Sequence, residues 1–144
     1  MTLTKPNTGF WIIAVIALIW NIMGVFAFLG QTLLLSDDAK AILPEDQLTL
    51  LETTPTWLTI VFAIATIAGL LGSILLLAKR KVAIPVFGIS LLAVLVQNFY
   101  GWLFTDAAAV YGTVQGYVIP LVVIIIAIFL YYYSKGAAQK GWLR

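Results

Sequence analysis

The side chains able to do chemistry within this chain's long apolar stretches are few and uncharged. The stretch ALIWNIMGVFAF, residues 17–28, carries a carboxamide, Asn21, between Trp20 and Gly24. Gln31 lies beyond it, Gln97 and Asn98 adjoin Tyr100 in QNFYGWLF, and Thr66, Ser73 and Ser90 complete the inventory. Amides and hydroxyls of this kind bind a neutral polar molecule such as a sugar, with an aromatic face against its apolar side. They also bind one another, as bonds between helices worth about 0.6–2 kcal/mol each. Trp20 sharpens the choice, because an indole N–H deep in a membrane needs a partner. The candidate ligand site is therefore Trp20, Asn21, Gln97 and Asn98, with Gln31 and Tyr100 toward its outer mouth.

Other chemistries find no support. The chain has no Cys and no His, which removes thiolate chemistry, haem and zinc ligation through the usual side chains, and imidazole proton relays. No cofactor or metal is expected. Asp, Glu, Lys and Arg are missing from the apolar stretches, whereas buried ionisable groups usually mark ion-driven pumps. The scattered Ser, Thr and Tyr form no constellation of nucleophile and base, so an enzyme is not expected. A net charge of +2 is no sign of nucleic-acid binding, because the basic residues are better explained by membrane topology.

The elements that must position these residues follow from the apolar runs. Of the 144 residues, 62% are hydrophobic and 10% charged, against about 25% charged in soluble domains. The expected fold class is all-α, a polytopic membrane protein forming one antiparallel bundle of four transmembrane helices. Four uncharged runs are long enough to cross the hydrocarbon: about 10–35, 56–78, 82–104 and 117–134. The first is too long for a signal-peptide core and lacks a clear cleavage site, so it is expected to remain. Every acid lies after the first or third run, while the basic residues other than Lys40 lie in the remaining three segments. Basic loops stay in the cytoplasm, which places both termini there.

Local signals refine the boundaries. The linker AKRKVAIP demands a tight turn between spans two and three, with Pro85 in a first helical turn where its missing N–H costs little. The outer loop, 36–55, contains Pro44, Glu45 and Asp46 before Leu48, Leu50 and Leu51, which predicts a short surface helix. Thr54 and Pro55 are expected as N-cap and first helical residue of span two. The acids of this loop form a solvated cap over the bundle or a surface for a cation or partner. The basic tail from Lys135 to Arg144, with Trp142, is expected to anchor at the interface.

Small residues should mark the helix contacts, since lipid provides little hydrophobic drive for association. Ala65, Gly69 and Ser73 recur every fourth residue, with Ala68 and Gly72 beside them; Gly24 and Gly101 are further candidates. Ala14, Ala17, Asn21, Gly24, Phe28 and Gln31 share one face of span one, which turns Asn21 toward protein. WNIMGVFAF and QNFYGWLF are alike, which suggests a duplicated two-helix unit of the kind found in some transporters.

The segments KPNTGFWIIAVIALIWNIMGV and YYYSKGAAQKGWL resemble a family of small bacterial four-helix membrane proteins commonly labelled sugar transporters, over essentially the whole chain. The resemblance implies residence in the bacterial inner membrane and a role in transport. An Asn and Trp pocket is also similar to that of the SWEET and SemiSWEET sugar facilitators. The chain lacks their Pro-Gln span motif and has four spans where their repeat has three, so no site residue carries over. Two functions are expected on these grounds. One is a passive carrier of a small neutral solute, built as a dimer or larger homo-oligomer because four short helices enclose little volume. The other is a non-catalytic accessory subunit or scaffold that binds a larger membrane-protein partner.

Overall fold

The computed structural model describes residues 3–32 and 35–144. It is all-helical, with no strand among the described residues, and four of its helices are long and apolar enough to cross a membrane. In chain order these are α1 (Thr8–Gln31), short α2 (Asp37–Ala41) and α3 (Glu45–Glu52), α4 (Thr56–Leu77), α5 (Ala83–Phe104), short α6 (Ala107–Thr113), a π-helical turn (Val114–Val118) and α7 (Ile119–Gln139).

Each boundary has a local cause. Asn7 caps α1, its Oδ1 accepting from the Phe10 amide at 2.9 Å. That bond satisfies one of the four donors a helix start leaves open. The helix stops at Gln31, short of the expected Leu35, and the Thr32 hydroxyl turns back to the Phe28 carbonyl at 2.6 Å. Residues 33 and 34 of the expected span lie outside the described residues. The surface helix expected after Pro44 is α3. At the start of α4 the residue in the N-cap position is Pro55, not Thr54, and Thr56 is the first helical residue. Thr54 instead donates its hydroxyl to the Leu50 carbonyl at 2.8 Å, because that carbonyl at the end of α3 has no helical partner of its own.

The long helices pack in a row: α1 against α4, α4 against α5, and α5 against α7. Glycine makes the central contact close. A Cβ at Gly72 would lie 2.8 Å from the Phe87 ring, so the α4 backbone approaches α5 where the ring covers it. Two buried clusters result. One holds Phe10, Ala14, Leu76, Phe87, Leu130 and Leu143, and the other Ala65, Ala93, Val94 and Ile124.

At the first cluster the chain is laced together. Helices α4 and α7 both end in the same left-handed turn, with Lys79 at φ 58° and Gly141 at φ 79°. The Arg80 amide bonds to the Leu75 carbonyl and the Trp142 amide to the Ala137 carbonyl, at 2.9 and 3.0 Å; these are the six-to-one bonds of a Schellman end. Arg144 then bridges the two turns, its amide donating to Lys79 and its carbonyl accepting from Lys81. Thr4 bonds to the Gly141 carbonyl at 2.8 Å. The tail expected as a surface anchor is thus folded onto the bundle's basic end, with Leu143 fully buried.

The π-helical turn has its origin in Pro120. Proline offers no N–H to the carbonyl four residues earlier, which is that of Gly116. The Trp102 indole supplies the missing donor at 2.7 Å. Gly112, at φ 88°, reverses the chain, so α6 folds onto the turn. There a Cβ at Gly116 would stand 2.6 Å from the Ala108 Cα. Trp102→Phe is expected to cost about 1–3 kcal/mol by leaving the Gly116 carbonyl unpaired. Pro120→Ala should recover part of that loss, read as thermal midpoints in detergent micelles. Equal losses with and without the second change would show that the indole bond is not what matters.

Candidate functional site

Asn21 lies where α1, α4 and α5 meet. Its amide nitrogen has two protons and both are engaged: one donates to the Ala17 carbonyl at 2.8 Å, the other to the Ser73 hydroxyl at 2.9 Å. Ser73 passes its own proton to the Gly69 carbonyl at 2.9 Å. On the facing helix, Ser90 donates to the Ala65 carbonyl at 2.7 Å. Between them, Gly69 presents bare backbone: a Cβ there would overlap the Asn21 Oδ1 and approach the Ser90 Oγ. The helix spacing explains the convergence. Ala65, Gly69 and Ser73 form one stripe of α4, and the two serines that reach across or along it are both buried.

These are two separate sets of bonds: Asn21 to Ser73 to the Gly69 carbonyl between α1 and α4, and Ser90 to the Ala65 carbonyl between α5 and α4. Each neutral bond is worth about 0.6–2 kcal/mol in hydrocarbon. Among the described residues no buried side-chain nitrogen or oxygen lacks a partner. The Asn21 amide can hold α1 on α4; to bind a solute through its N–H groups it would have to give up one of these bonds.

The remaining candidates are dispersed. Trp20, one step along α1, lines an apolar groove of about 200 Å³ between α1 and α7, against Ile13, Ile16 and Phe129. Gln31 is exposed at the end of α1. Gln97 and Asn98 are half-buried in α5, and the Asn98 amide turns back to the Val94 carbonyl of its own helix at 2.8 Å. Tyr100 stands edge-on to Trp57, with ring centroids 5.0 Å apart. It lines a cavity of about 850 Å³ at the acidic end, with Glu45, Asp46, Thr49, Phe104 and Asp106. The structure therefore joins Asn21 to Ser73, Gly69 and Ser90, and does not bring it together with Gln97, Asn98 or Tyr100.

Of the candidate packing residues, Ala65, Gly69, Gly72 and Ser73 are buried along α4. Gly24 faces the Thr66 methyl, and Gly101 has open space where a Cβ would stand. Asn21 and Asn98 share a bond to the carbonyl one turn back, and only Asn21 adds a bond to another helix. Trp102, whose indole bonds to the Gly116 carbonyl, was not among the candidate residues read from the sequence. The available signal was Pro120 four residues after a glycine. Among the described residues no group of three or more His, Cys, Asp or Glu is placed to hold a metal.

No family model, curated protein or solved structure matches the chain.

Gly69→Ala is expected to lower stability by about 1–3 kcal/mol, the usual cost of forcing a methyl into filled space. Combined with Asn21→Ala, which removes the obstructing carboxamide, the loss should be clearly less than the sum of the two single changes. Additive losses in a double-mutant cycle would place Asn21 away from Gly69.

Proposed function

We propose that this chain is a four-span integral membrane protein acting as a non-catalytic structural or accessory subunit. In this reading the helices run alternately outward and inward, with the basic end, both termini and the α4–α5 turn in the cytoplasm. The partition of acids from basic residues supports that orientation. One observation carries the functional choice: both amide protons of Asn21 are committed to protein acceptors, one on its own helix and one on α4. A polar centre so engaged fixes helix register, and the surfaces left for recognition are the lipid-facing helices and the acidic outer segment.

A second reading is favoured by the cavity at the acidic end. A small neutral polar solute such as a sugar would lay its ring on Tyr100 and hydrogen-bond through its hydroxyls to Glu45, Asp46 or Asp106. A passive carrier built this way would then have to open the contact between Asn21 and Ser73 to let the solute pass.

Proteoliposomes containing the purified protein are expected to show no flux of sugars, polyols or amino acids above empty vesicles. Asn21→Ala is expected to lower the thermal midpoint in detergent by an amount corresponding to about 1–2 kcal/mol. Solute flux that disappears in Asn21→Ala while the melting temperature stays unchanged would establish the carrier and overturn the structural reading.

A further inference from the structure

We propose that the groove between α1 and α7 seats an acyl chain of an anionic phospholipid whose headgroup rests on Lys5 and Lys140. The inference rests on the membrane-spanning reading above.

The groove exists because of the packing order. Helix α1 makes its close backbone contact with α4, and α7 makes its own with α5, so this flank stays open. Its walls are Ile13, Ile16 and Trp20 on one side and Ile126, Phe129 and Leu130 on the other. An apolar void with no partner atoms forfeits dispersion contacts, and in a bilayer the available filler is a lipid chain. From Ile13 to Trp20 the helix axis advances about 10 Å, against about 15 Å of hydrocarbon in one leaflet. A transmembrane helix is a poorer fit. Close helix contacts need small residues, and Ala17 is the one small residue of the lining. A volume of about 200 Å³ also falls short of a helix about 10–12 Å across.

Charge selects the headgroup. Phe129 stacks on Tyr133 at 5.4 Å, Tyr133 on Phe10 at 6.4 Å, and Phe10 meets Trp142 edge-on at 5.7 Å. The Lys140 ammonium sits 4.7 Å from the Trp142 ring centre. A series of ring contacts, with Phe10 fully buried at its centre, therefore links the groove to a cation. Thr4 bonds to the carbonyls of Lys140 and Gly141 at 2.7 and 2.8 Å, which ties the segment that carries Lys5 to the turn that carries Lys140. Both lysines are exposed, and all six acids of the chain lie in 36–55 or at Asp106. Exposed ammoniums at the basic end, toward which the groove runs, fit the phosphate of an anionic lipid.

The test is native mass spectrometry of the full chain released from nanodiscs of equal phosphatidylglycerol and phosphatidylcholine. One phosphatidylglycerol is expected to stay bound in preference to phosphatidylcholine. Lys5→Gln with Lys140→Gln should lower that preference about tenfold or more, with the melting temperature nearly unchanged. Ile13→Trp, which fills the groove, should release the lipid while both lysines remain. Equal retention of the two lipids, or retention unaffected by Ile13→Trp, would overturn the proposal. So would a lipid-free dimer, which would make the groove a contact between copies. Failure of the wild-type chain to float with vesicles would remove the membrane-spanning reading itself, and the proposal with it.

Discussion

In hydrocarbon a polar group has only the protein to bond to, and the hydrogen bond from Asn21 to Ser73 is the clearest result of that constraint here. It ties α1 to α4 at 2.9 Å, and it is reachable because Gly69 lets the carboxamide lie against bare backbone. Ser73 relays the bond to the Gly69 carbonyl, and Ser90 closes the facing side on Ala65. A carboxamide in lipid is unfavourable on its own. Inside this cluster it specifies one register of one helix pair, because sliding α1 by a single residue would leave the amide without its acceptor.

The same constraint shapes the ends of the bundle. Pro120 removes a backbone donor, and Trp102 replaces it from another helix, which gives an aromatic ring a hydrogen-bonding duty. At the basic end, α4 and α7 each close with a left-handed residue that lets a later amide bond back to a carbonyl of the last turn. Arg144 then joins the two turns through its backbone, so a segment rich in Lys and Arg becomes ordered without relying on its charges. The acidic end is looser. Helices α2 and α3 have no buried residue, and the large cavity beneath α3 lies there.

Much of the fold was legible in the sequence because lipid makes apolar length a nearly sufficient signal. Four long helices, the tight linker at 78–82, the helix after Pro44 and the small-residue stripe at Ala65, Gly69 and Ser73 all follow from local patterns. The candidate site was legible only in part. Periodicity placed Asn21 on the face it shares with Ala14, Ala17 and Phe28, and that face is the one packed against protein. Periodicity within one helix cannot say which neighbour a face meets, so the partnership with Ser73 was out of reach. Trp20 and Asn21 are adjacent in sequence, yet a helix turns about 100° per residue and sends them to different neighbours. The fold of the tail onto the α4–α5 turn depends on contacts between segments far apart in sequence, which no local pattern encodes.

The central claim is that the amide protons of Asn21 are held by protein acceptors and shielded from water. Side-chain amide exchange, followed by NMR on the chain in deuterated lipid bilayers, tests this directly. Asn21 should keep its Nδ2 protons far longer than the exposed Gln31 keeps its own. Exchange of Asn21 as fast as that of Gln31 would mean a hydrated chamber at the bundle centre, and would contradict the account.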